Sequence, residues 1–154
     1  MMIVLKILIV IGTFLFMEGV AWFTHKYIMH GFMWTWHRSH HTVHSHFFER
    51  NDLFALVFSI PSVVLIAIGF ANENLELLRY FGFGIMGYGI FYSIFHDIIV
   101  HRRIKIKFKA KSSYMKRIIN AHYYHHKKHS KHGGEAFGFL YAPKKYKVKS
   151  AKPE

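Results

Sequence analysis

Three long apolar runs alternate with polar segments along this chain of 154 residues. The first covers residues 1–22 and carries only Lys6 and Glu18 as charges, the second covers 53–71, and the third extends from about 75 to 100. An α-helix needs about 20 residues to cross a bilayer core of about 30 Å. The pattern therefore predicts an all-α integral membrane protein with about three transmembrane helices.

Three crossings bring both histidine-bearing segments to the same side of the membrane. The chain crosses once before residues 25–46, returns, turns at 72–74, crosses again and reaches 96–132. Dividing the third run in two would give four spans and would move the second segment to the opposite side, unless one piece were re-entrant. Three spans with a His-rich helical cap are therefore favoured.

The basic residues indicate which side carries that cap. The formal net charge is +13, and Lys and Arg concentrate between Arg102 and Lys152, whereas the turn at 72–74 contains an acid and no Lys or Arg. The positive-inside rule then places the cap on the cytoplasmic face of the inner membrane, and it explains the charge without a nucleic-acid partner. Residues 143–154 lack a periodic apolar face, which predicts a disordered tail after one membrane-embedded domain over 1–142.

Histidine is strongly over-represented, with fourteen residues in two clusters that follow the same spacing. Each cluster has a His-x4-His pair followed by a His-x2-His-His triple. The ten residues of this pattern are His25, His30, His37, His40, His41, His96, His101, His122, His125 and His126. Four more lie outside it, and of these His44 and His129 continue the helical faces of the two triples and could join them, whereas His46 and His132 do not.

Helical geometry relates these spacings to a site. Residues at i, i+3 and i+4 share a helix face, so the members of the first triple, His37, His40 and His41, can point into one site, and so can the members of the second triple. Residues five apart lie about 140° apart on an ideal α-helix. The two His-x4-His pairs therefore converge only if the helix ends or bends, or if the metals lie between the two side chains, and the spacing does not settle which.

Ten imidazoles suit two metal ions with about five nitrogens each. Imidazole binds iron, zinc, copper and nickel, and a closed structural zinc site would use only four ligands. The chain has no cysteine and only eight carboxylates, and it lacks a Ser/His/Asp arrangement, a His-Glu-x2-His motif and the paired carboxylates of glycosidases. These absences disfavour acyl transfer, zinc proteolysis and glycoside hydrolysis.

Several weaker features accompany the histidines. Asp97 is either a carboxylate that orients a ligand ring or an ion-pair partner of a neighbouring arginine. The glycines of the third run predict close helix packing, and Gly84, Gly87 and Tyr88 are candidate substrate contacts on a smooth face. The segment 102–117 is either an interfacial segment or a docking surface for an acidic electron donor.

Seven segments together resemble the bacterial β-carotene hydroxylases, within the fatty acid hydroxylase/sterol desaturase superfamily. They are HKYIMHG at 25–31, HRSHH at 37–41, NDLF at 51–54, YG at 88–89, HDIIVHR at 96–102, AHYYHH at 121–126 and FGFL at 137–140. The resemblance covers roughly residues 18–143. The segment between His101 and His122 is basic, and its path relative to the membrane is not defined by the resemblance.

The resemblance implies a non-haem monooxygenase with two iron ions held by the four histidine motifs, although zinc is also compatible with the ligands. It implies dioxygen as co-substrate and a reduced ferredoxin-type electron donor. The expected reaction is hydroxylation at C3 of a β-ionone ring, which converts β-carotene in the bilayer to cryptoxanthin and then zeaxanthin.

Three other functions remain open from the residues. The same site could oxidise a fatty acyl chain, a sterol or a carotenoid in another way, as a hydroxylase or desaturase of the same superfamily. The histidines could instead serve a bis-His haem protein or a metal carrier. A basic membrane-bound interaction module would need no metal.

Overall fold

A computed structural model describes residues 2–42 and 46–148, and all regular structure within these ranges is helical. Three helices are long and apolar enough to cross a membrane: Met2–Phe32, Arg50–Ala71 and Leu78–Val100. Few of their residues are buried inside the isolated chain, as expected for surfaces that face lipid. The predicted class, an all-α protein with three candidate spans and a His-rich cap, is confirmed.

The first span begins as helix α1, Met2–Phe23, and continues as a π-helix over Thr24–Phe32, which is kinked at Gly31, where the backbone is non-helical (φ −103°, ψ −124°). Its 31 residues would extend roughly 45 Å at 1.5 Å per residue, so its end projects beyond a bilayer core of about 30 Å. Lys26 Nζ lies 5.0 Å from the Trp22 ring and 4.9 Å from the Tyr27 ring. Such amphipathic side chains are typical of the membrane–water interface, and the histidines begin at this level.

The remaining elements complete the three spans and the cap. Helix α2 (Trp34–His37) continues as a 3-10 turn (Arg38–His41). A second 3-10 turn (Arg50–Asp52) precedes α3 (Leu53–Ala71). A third (Glu73–Leu75) precedes α4 (Leu78–Tyr92), and α4 continues as a π-helix (Ser93–Val100). Because Leu78–Val100 is one continuous candidate span, the third apolar run is not divided in two, and the structure offers three candidate spans in place of four.

Helix α4 lies between α1 and α3 and packs closely against both. A Cβ at Gly84 would lie 2.5 Å from Thr13 Cβ of α1, and one at Gly82 would lie 2.7 Å from the carbonyl oxygen of Ser62 in α3. The Ser62 hydroxyl also donates to the Gly82 carbonyl at 2.8 Å. The predicted role of these glycines in close helix packing is therefore seen at both contacts.

Helix α5, Ser113–His126, is the longest helix of the cap among the described residues and carries the second histidine triple. Its N-cap residue Ser112 accepts a hydrogen bond from Met115 N at 3.1 Å, a standard way to begin a helix. Its buried face packs into a core whose buried members are Phe95, Ile118, Ala121, Phe139, Ala142 and Tyr146.

The packed chain continues past residue 142, at which the sequence predicts the start of a disordered tail. A 3-10 turn forms over Lys144–Tyr146, the Tyr146 ring is buried in the cap core, and its hydroxyl donates to Glu135 at 2.6 Å. One aromatic side chain therefore anchors this stretch despite its lysines. Residues 149–154 lie outside the described residues, so the domain boundary stays a prediction.

Candidate di-metal site

The π-helices explain how the His-x4-His pairs converge. A π-helix forms i→i+5 hydrogen bonds, and His101 N accordingly donates to His96 O at 2.9 Å. With more residues per turn than an α-helix, residues five apart come onto nearly the same side. The ring centroids are 5.4 Å apart for His25 and His30, and 4.5 Å apart for His96 and His101. The convergence that the spacing left open is therefore achieved by widening the helix.

The histidines form two groups of five, and within each group the available ring nitrogens lie within 4.8 Å of one another. The first group is His25, His30, His37, His41 and His125, and the second is His40, His96, His101, His122 and His126. All ten residues of the sequence pattern are included. We call these groups site one and site two.

The middle histidine of each triple lies in the site that the other histidine cluster mainly forms. The helical spacing in the sequence instead allows all three members of a triple to point into one site. His40 lies in site two although its neighbours His37 and His41 lie in site one, and His125 makes the reciprocal exchange. In the α-helix that carries the second triple, residues at i and i+4 are separated by about 40°, whereas i+3 falls on the other side of i, about 60° away. Where two sites lie side by side, this difference sends His125 into the opposite site, whereas His40 makes its exchange from a 3-10 turn.

The separations between ring nitrogens match those of ligands around one ion. The Nε2–Nε2 distance is 3.0 Å for His25 and His37, 3.3 Å for His30 and His125, and 2.9 Å for His40 and His96. Two imidazole nitrogens bound at right angles at about 2.1 Å would lie about 3.0 Å apart. The spacing therefore fits transition-metal coordination.

Backbone carbonyls orient three rings of site one. His25 Nδ1 donates to the Phe137 carbonyl at 3.0 Å, His30 Nδ1 to the Lys131 carbonyl at 3.1 Å, and His125 Nδ1 to the Glu135 carbonyl at 2.8 Å. A fourth ring, that of His37, donates to Asn51 Oδ1 at 2.7 Å. Each bond fixes the tautomer that keeps the proton on Nδ1 and leaves the Nε2 lone pair free for a metal.

Carboxylates perform the same task in site two. His40 Nδ1 donates to Glu49 Oε1 at 2.9 Å, and His96 Nδ1 donates to Asp97 Oδ1 at 2.7 Å. Arg103 in turn bonds Glu49 and lies 2.7 Å from Asp52 Oδ1. Of the two interpretations of Asp97, the structure therefore favours the one in which it orients a ligand ring, because Arg103 is held by other acids.

These hydrogen bonds show why a cation belongs between the rings. In the pairs His25–His37, His30–His125 and His40–His96, both Nδ1 atoms carry the proton, so the facing Nε2 atoms are both acceptors and repel each other. His126 Nε2 is also buried without a hydrogen-bond partner among the described residues. A metal ion bound by these lone pairs would convert the repulsion into coordination, so the donor set fits two imidazole-bound ions.

Protonation does not compete with this role near neutral pH. Burial, reinforced by neighbouring histidines, lowers the pKa of His37 to about 3, and burial lowers the pKa of His101 and His125 to about 4. Rings with such a pKa are neutral at pH 7, and only the neutral ring offers a lone pair to a metal.

The remaining histidines lie outside both groups. His129 Nδ1 donates to the His41 carbonyl at 2.6 Å and so braces the first triple without joining it. His132 is exposed, and neither it nor His46 belongs to a group. The possible addition of His44 falls outside the described residues.

A cavity of about 500 Å³ leads from the membrane-spanning helices to site one. Its wall comes from one face each of α1, α3 and α4, and His25, Asn51 and Asp97 lie at its polar end. Exposed residues such as Val63 and Ile90 belong to the same wall, so the cavity reaches the surface that faces lipid. An apolar ligand could thus enter from the bilayer.

Of the three predicted substrate contacts, one lines the cavity and two do not. Tyr88 lines the cavity, but Gly84 packs on Thr13 and Gly87 faces Phe14, so neither glycine is part of the wall. Gly89, which we assigned to helix packing, lines the cavity instead, and a Cβ there would meet no atom within 4 Å. Helical rotation decides this, because positions 85, 88, 89 and 92 share a face that 84 and 87 do not.

Apart from Asp97, the groups that orient the rings were not predicted from the sequence. Glu49 and Asn51 could have been suspected from their place beside the first triple. Nothing in the sequence marks the carbonyls of Lys131, Glu135 and Phe137 as orienting groups, because every residue has the same carbonyl group. The sequence does mark Glu18, since a carboxylate within a membrane span is energetically costly and usually functional.

Curated proteins of known activity resemble the chain over most of its length. It is 45% identical over 137 residues, 89% of this chain and 77% of the relative, to a β-carotene hydroxylase of Pseudescherichia vulneris. It is 38% identical over 143 residues, 92% and 87% of the two chains, to a β-carotene hydroxylase of Paracoccus sp.. The chain belongs to the β-carotene hydroxylase family. This confirms the resemblance deduced from the seven sequence segments.

The family extends to plants. A β-carotene 3-hydroxylase of Arabidopsis thaliana is 32% identical over 146 residues, which are 94% of this chain and 48% of the plant protein. No protein-family profile and no solved structure matches the chain. The assignment to the β-carotene hydroxylases therefore rests on these relatives, and the paired imidazole groups are consistent with it.

Proposed function

We propose that this protein is a carotenoid ring hydroxylase that adds a hydroxyl group at C3 of β-ionone rings, converting β-carotene to cryptoxanthin and then to zeaxanthin. The observation that carries the proposal is that a cavity open to lipid is lined by His25 of site one and by Tyr92 and Asp97, which contact His96 of site two. Family membership supplies the class of substrate.

We propose that both ions are iron and that dioxygen is the co-substrate. Bound at sites one and two, they would supply the oxygen activation that acid–base side chains cannot perform on an unactivated C–H bond. The overall reaction consumes one dioxygen, two electrons and two protons, and yields the alcohol and one water. A ferredoxin-type protein is the proposed electron source, and the basic cap suits an acidic partner.

The residues of the chain position the reactants. The apolar wall, including Phe54, Phe58 and Met86, would hold the ring and part of the polyene away from water. Tyr92 stacks on His96 with centroids 4.6 Å apart and also lines the cavity, so it places an aromatic surface between substrate and site two. Asp97 lies on the wall as well and keeps the His96 ring in its metal-binding tautomer.

Two of the alternatives fit the geometry less well. A bis-His haem needs two opposed imidazoles with a porphyrin between them, but each site has five nitrogens within 4.8 Å, which leaves no room for the macrocycle. An interaction module without metal would leave three pairs of facing lone pairs buried and uncompensated. Fatty acyl or sterol oxidation at the same site is an outcome that the experiment distinguishes.

The test is expression in a bacterial host that accumulates β-carotene, followed by pigment chromatography. The wild-type chain should yield cryptoxanthin and zeaxanthin, whereas His40→Ala and His125→Ala should each lower the yield by more than about 100-fold. Metal analysis of the purified protein should find two irons per chain. Unchanged β-carotene with modified host lipids would replace the carotenoid proposal by a lipid oxidase, and full activity in both variants would refute the metal sites.

A further inference from the structure

Glu18 connects the transmembrane helices to the loop that orients site one. It lies in α1, one helical turn before the aromatic residues of the interface. Glu18 Oε1 accepts hydrogen bonds from Phe139 N at 2.6 Å and Leu140 N at 2.7 Å, and Glu18 Oε2 accepts one from the Tyr88 hydroxyl at 2.7 Å. An ionised carboxylate only accepts hydrogen bonds, and three donors compensate it within the span.

The loop held in this way is the one that supplies the three carbonyls of site one. We define the carbonyl loop as residues 131–140. Lys131, Glu135 and Phe137 direct their carbonyls at His30, His125 and His25 respectively, and the loop lacks helix or strand from its first residue to its last. No regular backbone ladder therefore fixes these carbonyls, and their position depends on how the loop is anchored.

Site two meets the carbonyl loop through the packing of the Phe139 ring, whose centroid lies 5.0 Å from that of His96 and 4.9 Å from that of His122, and not through the three carbonyls. Its oriented rings, His40 and His96, donate to the carboxylates of Glu49 and Asp97. Glu49 is held by Arg103, and Asp97 follows His96 within the same π-helix. A change in the carbonyl loop should therefore remove the groups that orient the rings of site one, whereas His40 and His96 of site two keep their carboxylate acceptors.

We propose that Glu18 is a positioning residue for site one. Its carboxylate pins the end of the carbonyl loop to α1 and α4, and so keeps the Phe137 and Glu135 carbonyls on the Nδ1 atoms of His25 and His125. The inference rests on the proposed function, because it concerns the metal that site one would hold. It adds a specific dependence of that metal on a carboxylate that touches neither ion nor substrate.

The packing around Gly138 provides a second way to disturb the same contact. A Cβ at Gly138 would lie 2.8 Å from Glu18 Oε1, which is too close for carbon and oxygen that are not bonded. Gly138→Ala must therefore displace either the Glu18 carboxylate or the carbonyl loop, and either movement disturbs the bonds from Phe139 N and Leu140 N while Glu18 itself remains. Gly19→Ala is the matched control, since Gly19 neighbours Glu18, is exposed, and would place its new methyl group more than 4 Å from any other side chain or neighbouring element.

The first measurement is iron content of the purified protein in lipid nanodiscs, with amide hydrogen exchange measured on the same samples. For Glu18→Ala and Gly138→Ala we expect iron to fall from two toward one per chain. The Phe139 and Leu140 amides should exchange about tenfold faster or more, because the charge-assisted bonds that protect them are lost. Gly19→Ala should match the wild type in both respects.

Glu18→Gln tests whether the acceptor geometry is what matters. The amide oxygen can still accept from Phe139 N and Leu140 N, and its NH2 group can donate to the Tyr88 hydroxyl, so this variant should recover most of the iron and amide protection that Glu18→Ala loses. Asp97→Asn serves as the opposite comparison: it should weaken iron at site two and leave the Phe139 and Leu140 amides protected.

The outcomes separate this inference from the proposed function. A wild-type chain without two irons would refute the proposed di-iron site itself. If the wild type holds two irons and Glu18→Ala also holds two, or if Glu18→Ala, Glu18→Gln and Gly138→Ala all lose both irons equally, Glu18 is not a positioning residue for site one. Loss of one iron with faster loop exchange, restored by Glu18→Gln, supports it.

Discussion

His40 and His125 each lie among the ligands contributed by the other half of the chain. Because of this exchange, both sites contain residues from the first and second histidine segments. Neither site can form from one half of the chain alone. At the scale of single residues, the two ions would therefore tie together segments that are about eighty residues apart in sequence.

The exchange predicts which histidine variants act on the same ion. His40→Ala and His96→Ala should each weaken iron at site two, and combining them should cost little more than the worse single change, because both remove ligands from one ion. His40→Ala with His125→Ala should remove both irons. Chelator titration of the purified variants measures this. If His40→Ala proved non-additive with His37→Ala instead, the assignment of His40 to site two would be wrong.

Asp97 allows a separate test of ring orientation. Asp97→Asn removes the charged acceptor that holds His96 Nδ1 at 2.7 Å, and the loss of such a partner typically costs about 10–100-fold in metal affinity or activity. We expect a fall of that size in iron affinity, measured by competition with a chelator. Glu73→Gln, in the exposed turn between α3 and α4, is the control and should change nothing. An unaltered affinity in Asp97→Asn would leave Asp97 without an orienting role.

At the scale of elements, the two π-helices and the central helix α4 decide the shape of the site. The π-helices bring ring pairs together that an α-helix would separate. Helix α4 is close to α1 and α3 through Gly84 and Gly82, but it leaves open space at Gly89. Glycine on α4 therefore allows close helix packing on one face, at Gly82 and Gly84, and leaves space for the cavity on another, at Gly89.

Filling the space at Gly89 should obstruct the cavity without disturbing the fold. A Cβ there meets no atom within 4 Å, and replacing glycine within a helix relieves a cost of about 0.5–1 kcal/mol. For Gly89→Leu we expect the KM for β-carotene to rise about tenfold or more while iron content stays at the wild-type value. Gly19→Leu places the same side chain on an exposed position of α1 and should leave KM unchanged. Equal KM values in the two variants would mean that the substrate does not pass Gly89.

At the scale of the whole molecule, three spans place both histidine segments beyond one end of the helices. The structure shows that the segments meet, but the side of the membrane follows from charge alone. We propose that the cap faces the cytoplasm and that the N-terminus lies outside, because Lys and Arg concentrate in the cap.

Reporter fusions test this topology. Alkaline phosphatase, which folds only outside the cytoplasm, should be active when fused after Asn74 in the short turn and inactive when fused after Val148. A green fluorescent protein at the same two positions should show the reverse pattern. Activity of the phosphatase at Val148 would place the cap outside and would exclude a cytoplasmic electron donor.

The sequence alone was sufficient for the spans, the face shared by the histidines and the set of ten imidazoles. These features are local: an apolar run long enough to cross a bilayer and a spacing of histidines can both be read along the chain. The family followed from the residues between the histidines. Composition alone was not sufficient for the stretch around Tyr146. Its lysines predict disorder, but the buried Tyr146 ring packs in the cap core and orders the backbone there.

Only the tertiary structure decided which rings share a site, why residues five apart converge, and what orients them. The exchange of His40 and His125 depends on two sites lying side by side, and the convergence of His25 with His30 depends on a π-helix that no propensity marks. The carbonyls of Lys131, Glu135 and Phe137 are chemically the same as those of every other residue. Their role arises from where the chain places them, and that depends on contacts between residues that are far apart in sequence.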